Sequence, residues 1–208
     1  MFDKRGMAIG LTTLAAAVFA GSAEASIVNF VSNPGLEGLG AFAGSMEWTD
    51  GGAGSGLLRV TLTNTSPIAN GGYLTGFAFR MLYKDQVKIE YASSHPGWSG
   101  IADAPCNPFG VFDIGAALGG NWLGGGSPLA GIAVGATKSF DFDVHGSAAL
   151  LSTIIAHDFF DESDGYGFVA RFRGFEDGGS DKVPASMPAP GALAALALGA
   201  LGSSRRRR

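Results

Sequence analysis

Cysteine, histidine and positive charge are all scarce in this sequence. Cys106 is the only cysteine in 208 residues, so no intrachain disulfide can form and packing must hold the fold. The three histidines, His95, His145 and His157, are far apart and none stands in an H-x-x-x-H or C-x-x-C frame, which removes sequence support for zinc. No serine occupies a G-x-S-x-G frame, because Gly97-Trp98-Ser99-Gly100-Ile101 fails at its last position, so a hydrolase elbow is not expected. A G-x-x-x-x-G-K-[ST] loop is also missing, which disfavours nucleotide chemistry. Between Ser26 and Met187 sixteen acidic residues face eight basic ones, a net charge of −8 against −4 for the whole chain. A body this acidic repels phosphate backbones, so no nucleic acid partner is expected.

What is present lies first at the two ends. Lys4 and Arg5 precede the apolar stretch Met7–Ala20, and Ala23-Glu24-Ala25 supplies an A-x-A cleavage site. This is the order of a secretory signal peptide spanning residues 1–25, with the mature chain starting at Ser26. At the other end Met187-Pro188-Ala189-Pro190-Gly191 is followed by the apolar run Ala192–Leu201 and by Arg205, Arg206, Arg207 and Arg208. A helix over residues 191–204 would be about 20 Å long. That is short of the roughly 20 residues a stable membrane span needs, so residence in the bilayer should be transient. Four arginines cross a membrane at high cost, which keeps the C-terminus cytoplasmic while the body lies outside.

The order of Pro188, Ala189 and Pro190, a short hydrophobic helix and the terminal arginines resembles the tail of PEP-CTERM proteins. These are exported bacterial proteins whose C-terminal signal is read by an exosortase. The resemblance covers residues 183–208, with Ala189 where the name-giving motif has Glu. It implies secretion, sorting at the membrane by an exosortase-type protease and removal of the tail, in organisms that make exopolysaccharide and biofilm matrix. It implies no reaction. Residues 109–132 and 169–184 also look like stretches of exported proteins of this tail class, which implies an extracellular β-domain.

In the body the dominant period is two. Leu58, Val60 and Leu62 alternate with Arg59, Thr61 and Thr63. Phe140, Phe142 and Val144 alternate with Asp141 and Asp143, and Phe168, Ala170 and Phe172 with Val169, Arg171 and Arg173. Phe77, Phe79 and Met81, and Val87, Ile89 and Tyr91, repeat the pattern. Half-buried antiparallel strands read in this way. Turns such as Asp50-Gly51-Gly52, Asn70-Gly71-Gly72 and Asp177-Gly178-Gly179 separate them. The expectation is an all-β, antiparallel β-sandwich of jelly-roll or immunoglobulin-like type over residues 26–180. Residues 108–113 and 121–126 read as ordered Gly-rich loops with buried aromatics. Leu150, Leu151, Ile154 and Ile155 have helical spacing, so one short helix is expected within residues 148–160. Three prolines mark residues 181–190 as a linker to the sorting tail, residues 187–208.

Candidate chemistry is sparse. Asp158, Asp161, Glu162 and Asp164 crowd oxygen atoms into one turn, and Glu176, Asp177 and Asp181 into another. Such loops can chelate calcium, although the D-x-D-x-D-G pattern is missing and solvated turns are the default reading. Cys106 reads as a buried, idle thiol. Arg171 and Arg173 pair with neighbouring acids by default, or lie open to acidic sugars. No catalytic residue and no cofactor is expected. The favoured reading is an exported surface or matrix protein with a structural, adhesive or exopolysaccharide-associated role, gripping polysaccharide through exposed Trp48, Trp98 or Trp122. The alternative is a secreted carbohydrate-active hydrolase using loop carboxylates.

Overall fold

The computed structural model describes residues 25–187. Eleven antiparallel strands form one sheet: β1 (Ala25–Ser32), β2 (Phe42–Gly52), β3 (Ser55–Asn64), β4 (Gly71–Phe79), β5 (Lys88–Tyr91), β6 (Trp98–Pro105), β7 (Val111–Leu118), β8 (Ile132–Ala133), β9 (Thr137–His145), β10 (Phe168–Phe175) and β11 (Ser180–Ser186). Their order is β5-β9-β3-β2-β1-β11-β10-β4-β7-β6, with β8 added to β4.

The alternation read from the sequence sets which face turns inward. Leu58, Val60 and Leu62 on β3 and Phe140, Phe142 and Val144 on β9 are fully buried. Their outward neighbours pair across the strands: Arg59 donates to both oxygens of Asp141 (2.7 and 3.0 Å), Thr61 meets Ser139 and Thr63 meets Thr137. Such polar cross-strand pairs suit a face toward water, each adding a few tenths of a kcal/mol. The inward face collects phenylalanine, and Phe30, Phe42, Phe77, Phe79, Phe140, Phe142, Phe160, Phe168 and Phe172 form one continuous cluster.

What differs from the expected sandwich is continuity. Two sheets facing each other would leave a gap in hydrogen bonding, but β1 pairs with β2 along most of its length and with β11 at Val31–Ser186 and Ser32–Ala185. The single sheet curls until its end strands meet. A Cβ placed on Gly100 of β6 would stand 2.8 Å from Tyr91 Cβ of β5, so only glycine allows this approach. The result is a nearly closed, barrel-like sheet whose last seam is made by side chains.

One wall carries a second layer. Outward-facing Ala78, Ala117 and Val169 of β4, β7 and β10 are covered by Cys106, Phe109 and Trp122 from the segments around β6 and β7. Arg80 fastens this layer. Its guanidinium donates to the carbonyls of Phe109, Val111, Asp164 and Tyr166 and lies 4.4 Å from the Phe112 ring centre.

Two expectations are corrected and one is met. Residues 111–113, the end of the expected loop 108–113, open β7. Residues 181–186, expected as linker, form most of β11. Pro184 is tolerated there because its carbonyl accepts from Asn33 in the flanking loop, on the side where no ladder bond needs its N–H. The short helix expected within residues 148–160 is present as one turn, α1 (Ala148–Leu151), followed by a 3-10 turn at Ala156–Phe159. Ser152 and Thr153 hydroxyls bond back to the carbonyls of Ala149 and Leu150 and end it.

The chain enters and leaves at the same end of the barrel. β1 and β11 are antiparallel with Ser186 opposite Val31, so Met187 heads toward the end where Ala25 begins. Segment 155–163 closes that end: Ala156 N–H donates to Ser26 Oγ (2.7 Å) and Met187 N–H to Glu162 Oε1 (3.3 Å).

Candidate functional site

Four of the basic residues lie on or under the outer layer, and three of them are tied to it. Arg80 holds four carbonyls. Arg173 on β10 donates to Gly125 O (2.7 Å) and Gly126 O and to Thr75 Oγ1. Lys182, opposite Arg171 in the β10–β11 register, donates to Asn107 O. Arg171 stands between them on the outward side of β10, and its buried Nε–H has no acceptor among the described residues. Burial first, and Arg173 second, push its guanidinium below the usual arginine range. The default pairing with acids is therefore corrected. Among the described residues the ion pairs are Arg59–Asp141, Lys84–Asp113 and Lys88–Glu90, and none involves this group.

The surroundings are built of turns. Gly-rich residues 119–126 bring Trp122 over Val169 and Ala117, and the turn at residues 106–110 lies on the Lys182 side. Trp122 is 3% exposed, yet its indole N–H also has no acceptor among the described residues. Donors without acceptors are costly when buried. Arg80, Arg171, Arg173 and Lys182 thus gather on one wall, and among the described residues none of them is paired with a carboxylate.

The other anticipated residues are placed as follows. Asp158, Asp161 and Glu162 do come together, with Leu82, His157 and Met187, around an open cavity of about 250 Å³ beside the chain's exit. Asp164 is not part of it, and contributes its carbonyl to Arg80. The other three carboxylates are engaged close to home, since Asp158 accepts from Ile155 N–H, Asp161 from Ser163 and Glu162 from Met187 N–H. Among the described residues no three His, Cys, Asp or Glu side chains converge as a metal site. In the second acidic turn Asp177 binds Gly179 N–H, while Asp181 faces inward. Trp48 and Trp98 are 1% and 5% exposed, so with Trp122 they form no open stacking platform, contrary to expectation. Ser26 lies in β1, following Ala25. Ala23, Pro188, Ala189, Pro190 and Arg205 to Arg208 lie outside the described residues.

Cys106 is buried in the outer layer, and burial pushes its thiol up to about 12 despite Lys182, Arg80 and Arg171 nearby. A thiol raised in the folded state stabilises below the unfolded value of roughly 8.5 and loses that contribution as pH climbs toward the folded value. Native protein at about pH 8, just below that unfolded value, should resist iodoacetamide and react only after unfolding, as mass spectrometry of the alkylated chain will report. Rapid native labelling would contradict the burial.

No protein family, curated protein or solved structure matches this chain. The Arg171 and Arg173 pair on one strand face was visible in the sequence; what was not is that β11 presents Lys182, not a carboxylate, to Arg171.

Proposed function

We propose that this chain is an exported, membrane-sorted protein of the cell surface or extracellular matrix, with a structural, adhesive or exopolysaccharide-associated role exercised by binding. The observation that carries this reading is where the sheet lies in the chain. It occupies Ala25–Ser186, so the signal peptide and the sorting tail flank it and their removal costs at most the first strand residue. Ser26, the expected first mature residue, keeps its hydroxyl on Ala156 N–H. Both signals would leave from the same end of the barrel, which suits a body held at a membrane by either end in turn. In this reading an exosortase-type protease is the processing partner, residues 191–204 sit in the membrane before trimming, and the mature body resides in the envelope or matrix. The polar outward face of β2, β3 and β9 supports a body surrounded by water; a membrane barrel would carry an apolar band there. Mass spectrometry of protein recovered from the cell surface tests the reading, with Ser26 expected as first residue and the arginine cluster absent.

A further inference from the structure

We infer that the open cavity at the pole of the barrel opposite the chain's two ends is a carbohydrate site, and that its ligand is a neutral polysaccharide held by Tyr73 and Glu176. The inference rests on the proposed function and names the ligand class for it.

The cavity measures about 500 Å³, against about 250 Å³ for the one beside the chain's exit, and falls within the range of small-molecule sites. β10 leads from the exit to it. Phe168 stands opposite Ala185 at one end of that strand and Phe175 opposite Gly71 at the other, about 24 Å away. A body tethered to a membrane at the exit end therefore presents this cavity outward. Its lining includes Ile68 and Leu129, 88% and 72% exposed, the two most exposed large apolar side chains among the described residues. Exposed apolar side chains that border one cavity mark a surface that gains from being covered. Part of the lining is glycine. A Cβ on Gly71 would stand 3.3 Å from Glu176 Oε1, and one on Gly174 3.6 Å from Tyr73 Cδ2, so the carboxylate and the ring each lie beside backbone that has no side chain of its own.

The lining selects among occupants. Glu176 is its only charged residue, Asp177 follows in the chain, and the body carries twice as many acids as bases, so a polyanion is repelled. An extended peptide needs an open strand edge, but β4 is paired on both sides here, with Tyr73 opposite Arg173 and Ala133. A neutral sugar ring meets both kinds of wall. Its C–H face covers the Tyr73 ring and the exposed aliphatic groups, and its hydroxyls donate to the Glu176 carboxylate, which enters no ion pair among the described residues.

The test measures retention of the full mature chain on immobilised dextran, laminarin, mannan and polygalacturonate. The expected result is retention on at least one of the three neutral polymers, none on polygalacturonate, and little change with salt, because the ligand carries no charge to screen. Glu176→Gln should weaken retention about tenfold, the scale of a lost hydrogen bond to a charged group. Its melting temperature should stay level, since Glu176 is exposed. Tyr73→Ala should weaken retention about fivefold through the lost ring; should that variant fail to fold, Glu176→Gln carries the test alone. Retention on none of the neutral polymers overturns the inference, as does preferential retention on polygalacturonate or unchanged retention by Glu176→Gln. Self-association that rises with concentration and is abolished by Leu129→Ser would give the cavity to a second copy of the chain and overturn it too. Recovery from the cell surface of a chain that starts at Ser26 and lacks the tail, with no retention on any neutral polymer, would sink the carbohydrate site and leave the surface role standing.

Discussion

Phe168→Ala should lower stability by about 3–5 kcal/mol, near the upper end for a single core truncation. Phe168, the first residue of β10, is fully buried. Five aromatic rings surround it: Phe30 at 4.7 Å between centroids, Phe42 and Phe77 at 5.6 Å, Phe160 at 6.2 Å and Phe79 at 6.4 Å. They come from β1, β2, β4 and the segment closing the barrel end, so no single neighbour can move to fill the space. Aromatic pairs in offset or tilted contact add about 0.5–1.5 kcal/mol beyond buried area, which puts the loss above that of an aliphatic truncation. In a domain of this size the melting temperature should fall by about 10 °C. Calorimetry of the isolated variant checks this, and a fall below about 3 °C would mean that the interior is not packed around this ring.

Asp181→Ala should cost about 3 kcal/mol through a different mechanism, the orphaning of backbone donors. The carboxylate is 2% exposed and carries no ion pair among the described residues. Instead it accepts from four backbone N–H groups: Glu37 (3.1 Å), Leu39 (2.9 Å), Gly40 (3.0 Å) and its neighbour Lys182 (2.8 Å). Residues 33–41 connect β1 to β2 without regular structure, and Asp181 acts as their missing strand. Alanine leaves these N–H groups unpaired in a partly buried place, where water restores only some of the bonds. Asp181→Asn keeps one acceptor oxygen and should lose roughly half as much. Denaturant unfolding gives the energies, and limited proteolysis should show first cleavage within residues 33–41 of the alanine variant. Stability within about 0.5 kcal/mol of the parent, the spread of ordinary surface changes, would contradict the assignment.

The difference between Phe168 and Asp181 is also the difference between what the sequence shows and what it hides. β3 and β9 were legible because one face meets the core and the other meets water, so the period of two survives in the residue types; β10 was legible because Arg171 and Arg173 still alternate with Phe172 on a face that the second layer covers in part. β7 was not. Its outward face is covered by the second layer, so both faces are buried and Val111–Leu118 carries small apolar residues without polar alternation. Gly115 looks like a loop residue in sequence, but a Cβ there would collide with the carbonyl of Phe77 on β4. β11 was hidden by Asp181, Lys182 and Pro184, residue types that favour linkers. One turns its charge inward onto backbone donors, one reaches a loop carbonyl, and one sits where no N–H is required. The single-sheet closure was invisible for a related reason, because it depends on which strands lie side by side: β1 beside β11, and Gly100 against Tyr91. The candidate site was half legible. The position of Arg171 and Arg173 on one strand face followed from alternation, whereas their lack of carboxylate partners depends on Lys182 being opposite and on the Gly125 and Gly126 carbonyls turning toward Arg173.

Export followed by loss of the arginine-capped tail is the central claim. Intact-mass and terminal-peptide mass spectrometry on the protein recovered from the surface of its own cells measures this most directly. The expected result is a chain that starts at Ser26 and lacks everything beyond about residue 190, the length left by signal-peptide cleavage and tail removal. A folded chain running from Met1 to Arg208 and found free in the cytosol would contradict it.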